Sequence, residues 1–392
     1  MVQDWLSLLI RWAHIIAAIS WIGSSFYFMW LDASLRRRAG QPEGVLGESW
    51  SVHGGGFYHV QKYAVAPQAM PDDLHWFKWE SYLTWLSGFA LMSVVYYWGA
   101  SSYMIDPSVA VLEPEIAVML SVAGLALGWI GYDRLCKSRL REAPAVMFAV
   151  LFAAICALAW AYGQVFSGRA VFIQVGAMIA TCMTGNVFLV IIPNQKVVVT
   201  DLKAGRVPDA RYGKIANLRS THNNYLTLPV VFFMISNHYP STFGHQWNWL
   251  VVAFVLALGA IVRHWFNLHE AGVRGRPILW QWPVSGALAA GLLLLPAWRP
   301  GGTAAAGAVT EARAMEIVMA RCTGCHAEAP TMEGFEASPG GVRLDTPAEV
   351  RAHADAVLTQ AVRTRAMPLG NVTGMTDAER AELGAWLEKN GG

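Results

Sequence analysis

Charge is what this 392-residue chain has least of. Asp, Glu, Lys and Arg supply only 14% of its residues, while hydrophobic ones reach 55%. Soluble domains carry about 25% charged residues, so a single water-soluble domain is excluded. The formal net charge of +2 offers no basic face for nucleic acid. Cysteine is scarce as well. Among five cysteines there is one CxxC pair, and no second pair exists to complete a Cys-rich zinc centre. The N-terminus lacks the basic flank and small-residue cleavage site of a secretory leader, so its apolar run is expected to be a retained helix. No internal repeat is evident.

What is present in quantity is long apolar runs. Segments able to span a bilayer lie near Trp5–Leu31, Tyr82–Gly99, Ile116–Leu135, Ala145–Val165, Val171–Ile192, Tyr225–Tyr239, Trp249–Leu268 and Ile278–Trp298. The sixth, Tyr225–Tyr239, is short and contains Pro229. Basic residues collect in alternate connections: Arg36, Arg37, Arg38, Lys62 and Lys78; Lys137, Arg139 and Arg141; Lys196, Lys203, Arg206, Arg211, Lys214 and Arg219; Arg274 and Arg276. The intervening loops are nearly free of Lys and Arg, Arg169 being the main exception. The positive-inside rule makes the basic connections cytoplasmic and the N-terminus external. With eight spans the C-terminus is external too, which requires the short sixth segment to cross.

The C-terminal part is different in kind. Cys322-Thr323-Gly324-Cys325-His326 is a CxxCH run, the pattern that attaches a c-type haem through two thioethers while the histidine ligates the iron. Thr310–Arg321 has helical spacing and delivers the cysteines. Thr346-Pro347-Ala348-Glu349 is a capping box opening a helix to about Arg363. Thr376-Asp377-Ala378-Glu379 is a second box, opening a helix through Trp386. Between them Met367-Pro368 places a thioether in a turn. His326 and Met367 form a His/Met pair of the kind that raises a haem's potential; a buried core methionine is the plainer alternative, and Met375 is the rival ligand. Residues 300–309, rich in Gly, Ala and Thr, form a flexible linker. The expected architecture is all-α: an eight-helix transmembrane domain (1–299), the linker, and a small class I-like cytochrome c domain (310–392) in the periplasm.

A small domain with both axial positions filled has no vacant iron site, so substrate chemistry falls to the membrane domain. Three polar segments converge on its cytoplasmic face in this topology. One runs from His53 through Gly54, Gly55 and Gly56 to His59 and Lys62, and on to His75 and Glu80. The second holds Arg219, His222, Asn223, Asn224 and Tyr225, and the third Arg263 and His264. The imidazoles of His53, His59, His75, His222 and His264 and the Glu80 carboxylate are candidate proton carriers; Lys62, Arg219, Asn223 and Arg263 are candidate partners of an anionic heterocycle. Each has a plainer reading: arginines at span ends snorkel to headgroups, and three glycines can be a turn. Arg11 and His14 lie one turn apart inside the first span, where an ionisable group is a functional hypothesis by default. They can line a substrate cavity, or His14 can ligate an intramembrane b-type haem.

The stretches HGGGFYHVQKY at 53–63, LHWFKWESYLTWLSG at 74–88 and THNNYLTLPVVFFMISNHYP at 221–240 resemble the membrane domain of the bacterial cytochrome c-coupled urate oxidases. In that family a C-terminal cytochrome c follows, and the order and size match over the whole chain. The resemblance implies oxidation of urate to 5-hydroxyisourate in the inner membrane. Electrons would pass to haem c and on to a soluble cytochrome c or a respiratory terminal oxidase, not directly to dioxygen. It carries over no residue-level catalytic assignment. Two other classes stand beside it: a quinol–cytochrome c oxidoreductase, and a membrane-anchored electron-transfer cytochrome, for which eight spans are excessive. Terminal oxidase chemistry is disfavoured because spans three to five contain no histidine. One difficulty is geometric, since about 30 Å of hydrocarbon separates the inner polar segments from an external haem.

Overall fold

The computed structural model describes residues 2–65, 67, 70–245, 247–295 and 309–390. It is mostly helical, with one antiparallel hairpin. The apolar runs fold as helices α1 (Val2–Ser34), α2 (Trp79–Met92), α3 (Pro114–Lys137), α4 (Pro144–Tyr162), α5 (Gly168–Lys203), α6 (Ala210–Ser236), α7 (Asn248–Glu270) and α8 (Gln281–Leu294). Their ends follow local chemistry. Proline occupies the first turn of α3 and α4, where its missing N–H costs nothing. Ser167 caps α5 by accepting from the Ala170 N–H, and Asp209 caps α6 by accepting from the Arg211 N–H. α3 ends with Arg134 and Lys137, opposite in sign to its C-terminal dipole.

Among the described residues six helices are long and apolar enough to cross a membrane: α1, α3, α4, α5, α7 and the stretch Arg276–Leu294. The second and sixth expected spans are helical without meeting both conditions, α2 (Trp79–Met92) being only 14 residues long. α2 continues into a wider π-type turn, Ser93–Tyr97. The sixth segment is not short: its helix is 27 residues long and begins at Ala210, because the polar run before Tyr225 is itself helical and turns inward.

α5 is the central pillar. It packs against α2, α3, α4 and α6, while α7 contacts α4, α6 and α8. Val171, Phe172, Val175 and Ile179 of α5 are fully enclosed, and the Phe172 ring meets Phe233 of α6 edge-on at 5.8 Å. α1 pairs chiefly with α2 and buries only Leu31, leaving its apolar surface outward. Such a surface suits lipid, where helix association relies on close packing and polar contacts rather than on apolar burial.

The all-α expectation needs one correction. The segment after α1 is a hairpin of β1 (Val45–His53) and β2 (Gly56–Tyr63), with His53 paired to Gly56. Gly54 and Gly55 both take positive φ (57° and 80°), which a two-residue hairpin turn demands and side-chain-bearing residues resist. The glycine run is therefore turn chemistry.

A second hydrophobic core forms near the C-terminus. α9 (Glu311–Arg321) is capped by Thr310, and α10 (Pro347–Ala352) opens on a complete Thr346/Glu349 capping box. The helix expected to run on to Arg363 breaks at His353 and resumes as Ala354–Val357 and a wider turn, Leu358–Arg363. α11 (Asp377–Asn390) closes the unit, with Leu383 and Trp386 packed on Ile317 and Val318 of α9. Of the expected linker, 300–308 lies outside the described residues, and Val309 already packs against this core.

The two cores touch. Gly370 lies against the backbone carbonyls of Ser102 and Ile105, in the connection from α2 to α3, and Gly244, between α6 and α7, lies against the Thr364 carbonyl. Both connections are on the side opposite the hairpin.

A buried histidine–tyrosine network beside a cavity

α6 carries the richest polar stretch of the N-terminal helices. Arg219, His222 and Asn223 fall at i, i+3 and i+4, which puts them on one face. Arg219 is 2% exposed. Its guanidinium pairs with Asp133 of α3 at 2.6 Å and donates to Asn186 Oδ1 at 3.1 Å. Asn186 opens a π-type turn within α5, Asn186–Ile191, a distortion frequent at functional sites. Its Nδ2 donates to the Tyr132 hydroxyl and to Asn223 Oδ1, both at 2.8 Å. Asn223 in turn donates to the Met183 carbonyl at 3.0 Å. The Tyr132 hydroxyl lies 2.9 Å from His222 Nδ1.

Donor logic constrains the protons here. A guanidinium only donates, so Asn186 must present its oxygen to Arg219 and its NH₂ to Tyr132. The tyrosine oxygen then accepts from Asn186, and its own proton is shared between His222 Nδ1 and Cys136 Sγ, which itself lies 3.7 Å from that nitrogen. In the tautomer where the tyrosine donates to Nδ1, His222 keeps its N–H on Nε2. That nitrogen makes no hydrogen bond among the described residues, and the ring lines a cavity of about 1770 Å³ between α3, α4, α6 and α7. Tyr225 and His264 line the same cavity, and the Tyr225 hydroxyl lies 2.7 Å from His264 Nδ1. Arg141, Arg211 and Lys214 also line it, at the ends of the helices where the basic connections begin. The walls are mostly apolar, as in most small-molecule sites, with Glu142, Asn217 and Thr221 adding polar groups.

Arg263 of α7 faces the other way, toward α1. It is 4% exposed, donates to Asn224 Oδ1 and to the Met29 thioether, and lies 4.4 Å over the Phe26 ring. Asn224 also donates to Asn267 at 3.0 Å. These partners are all neutral, whereas Arg219 is matched by Asp133. Neither arginine snorkels to an interface: both are enclosed by protein.

The other candidates are placed elsewhere. His59 is exposed, bonds Glu48 at 2.9 Å and stacks on Trp50 at 4.2 Å. His53 sits exposed at the hairpin turn. Lys62 pairs with Asp32 at 2.7 Å. His75 meets Phe77 edge-on at 4.6 Å. Glu80 begins α2, with Oε2 buried and unpartnered among the described atoms. No hydrogen bond or ring contact joins these residues to the α6 network. His14 holds the Thr84 carbonyl and Ser87 hydroxyl of α2 through Nδ1, at 3.0 and 3.1 Å. α2 carries no histidine, so this helix pair supplies one imidazole for a b-type haem and not two. Arg11, one turn away, is half-buried.

The residues that sequence reasoning passed over are Tyr132, Asp133 and Asn186, with Tyr225 undervalued. Their signal was present: an amide inside an otherwise apolar run, and a carboxylate among the basic residues ending a span.

In the C-terminal unit the CxxCH run forms one turn after α9, with the His326 N–H bonded to the Cys322 carbonyl at 2.9 Å. Both thiols are free. Burial pushes the Cys322 thiol up to about 11 and raises Cys325 as well. His326 Nδ1 lies 3.0 Å from the Val342 carbonyl, the orientation that leaves Nε2 for a metal. The Met367 carbonyl accepts from buried Arg380 at 2.7 Å, and its side chain packs at the margin of the core. Met375, the rival, is 2% exposed and lies within that core. These donors fit a covalently attached haem: two thiols outside any disulfide and one turn apart, an oriented imidazole and a thioether outside the sealed core.

A family described as urate oxidase N-terminal matches residues 1–296. No curated protein and no solved structure matches the chain.

Proposed function

The chain belongs to the urate oxidase N-terminal family, and from that premise we propose that it oxidises urate to 5-hydroxyisourate within the membrane domain and passes the electrons to a haem c carried by residues 310–392. One observation supports the placement of the chemistry: two histidine–tyrosine pairs, His222–Tyr132 and His264–Tyr225, line one cavity.

With both compounds counted in neutral form, urate and water give 5-hydroxyisourate, two protons and two electrons. The residues divide that work. His222, in the tautomer with its proton on Nε2, donates to a urate oxygen. His264 is the second imidazole and accepts a proton as the purine is oxidised, its ring steadied by Tyr225. Arg141, Arg211 and Lys214, which line the cavity, supply positive charge toward the urate anion, and Arg263, enclosed on the side facing α1, has no part in the scheme. Arg219 is a positioning residue: through Asn186 and Tyr132 it favours that His222 tautomer. His53, His59 and Lys62 have no part in this scheme, and Arg11 and His14 no assigned step.

Cys322 and Cys325 would hold the haem through thioethers, and His326 and Met367 would bind its iron. When bound, that group accepts one electron at a time and hands it to a soluble cytochrome c or a terminal oxidase. The setting is a bacterial inner membrane with both termini on the periplasmic side.

Anaerobic addition of urate to the purified protein, with the c-type absorption band followed, tests the reading. The band should move to its reduced form without oxygen. His222→Ala should slow that reduction by about 10²-fold while dithionite still reduces the protein fully. A wild-type band silent to urate would overturn the function, and an unimpaired His222→Ala would overturn the site. Reduction by a quinol analogue but not by urate would favour quinol oxidation instead.

A further inference from the structure

The polar network lies deep. From His222 to the outer end of α6 at Ser236 is 14 residues of helix, roughly 21 Å at 1.5 Å per residue. Electrons leaving the cavity need a defined place to enter the C-terminal unit, and that place has distinctive chemistry. Thr364 and Gly370 bracket Met367, and both meet the membrane domain backbone to backbone. A Cβ on Gly370 would lie 2.5 Å from the Ser102 carbonyl oxygen and 3.1 Å from that of Ile105, and one on Gly244 would overlap the Thr364 carbonyl oxygen. No side chain intervenes at either point.

The same loop is braced from behind. Arg380 donates to the carbonyls of Met367 and Ala361 and to Asn371 Oδ1. Burial lowers the pKa of Arg380, and Asp106 of the α2–α3 connection is among the carboxylates that oppose this. On the membrane side Tyr103, next to Ser102, faces Tyr96 at 5.9 Å, and Arg169 lies over both Tyr103 and Phe243. Ser167 ties its N–H to the Met104 carbonyl and its hydroxyl to the Tyr103 carbonyl. Both faces of the contact are thus rigidly built.

We propose that the 364–371 loop, seated on residues 102–106 and on Gly244, is the fixed electron-entry contact of the C-terminal unit, kept at backbone distance by Gly244 and Gly370. The inference rests on the reading of that unit as a haem carrier. One electron crosses at each passage, so a urate needs two, with a c-type cytochrome as the oxidant that removes the first before the second arrives. Gly244 is the position to test. Its φ of −78° suits any residue, so a side chain there strains no backbone dihedral, and its Cβ meets the Thr364 carbonyl far more closely than the Pro240 carbonyl of its own connection, at 2.9 Å; Gly370, at φ +57°, does not allow that separation.

The experiment uses the full-length holoprotein, Gly244→Leu, the milder Gly244→Ala in case the first fails to fold, and Gly213→Ala as a control in open space. Hydrogen exchange is measured over 100–106 and 364–371, and anaerobic reduction by urate and by dithionite is timed. Wild type and the control should protect both segments. The Gly244 variants should expose both and slow urate-driven reduction on the order of 10–100-fold, with dithionite reduction unchanged. Exposure of the segments without slower urate reduction would overturn the electron-entry role. Segments unprotected in wild type would overturn the contact itself. A wild-type protein silent to urate, with both segments protected, would sink the urate reading and with it the electron-entry role, while leaving the docked contact standing.

Discussion

Two buried arginines illustrate how differently the same side chain can be used. Arg219 pairs with Asp133, and removing that carboxylate strands a buried guanidinium, typically at about 3–5 kcal/mol, whereas Asp133 without Arg219 would keep Lys137 at 2.6 Å. Asp133→Leu should therefore lower the thermal unfolding temperature sharply in detergent, and Arg219→Met added to it should recover much of the loss. If the double variant is no better than the single one, the pair does not act as a unit. Arg263 has neutral partners, so Arg263→Met strands no charge. Its cost in thermal unfolding should be the smaller of the two, about 1–3 kcal/mol for the polar partners left unpaired, with the KM for urate unchanged; a drop as large as that from the stranded charge would deny the distinction. Both arginines stood out in the sequence as ionisable groups near apolar spans. What composition could not show is which had a carboxylate, since Asp133 and Arg219 are 86 residues apart and meet only through the register of α3 on α6.

Elements were legible to the degree that their determinants are local. The two capping boxes are four-residue devices, and both are present as read. The hairpin was missed because three glycines between two histidines suggested a ligand loop, although β1 and β2 carry the aromatic and β-branched residues of strands. The α11 box has a pH consequence. Burial pushes the Glu379 carboxyl up, but the Thr376 N–H and hydroxyl and the Arg321 guanidinium outweigh this and hold it below its ordinary 4.5. A group whose pKa falls on folding stabilises the native state above its unfolded value, and that contribution is lost as pH drops through the folded value. Protection factors of amides in 377–390 should thus be level above pH 4.5 and decline below it. Glu379→Gln should flatten the decline and lower the plateau. An unchanged profile would mean that Arg321 and Thr376 do not hold the carboxylate in solution.

At the scale of the whole molecule, two unrelated signals bear on orientation. Lys and Arg gather in alternate connections, and the C-terminal unit docks on connections from the sparse set, through Ser102 and Gly244. Neither signal uses the other, since one is a count of charges and the other a backbone contact. They agree only if α6 crosses, because α6 joins the basic connection after α5 to the loop carrying Gly244. Three exposed positions test this: Val111, 88% exposed, Val207, 92%, and Tyr239, 60%. Each is replaced singly by cysteine and treated with a membrane-impermeant maleimide in right-side-out vesicles. Labelling of Val111→Cys and Tyr239→Cys from outside, with Val207→Cys reached only after permeabilisation, is the expected pattern. Because Val207 and Tyr239 flank α6, labelling of both from one side would deny that crossing. The C-terminal unit could not then reach Ser102 and Gly244 from the periplasm, and the proposed route from the cavity to Met367 would have to be redrawn.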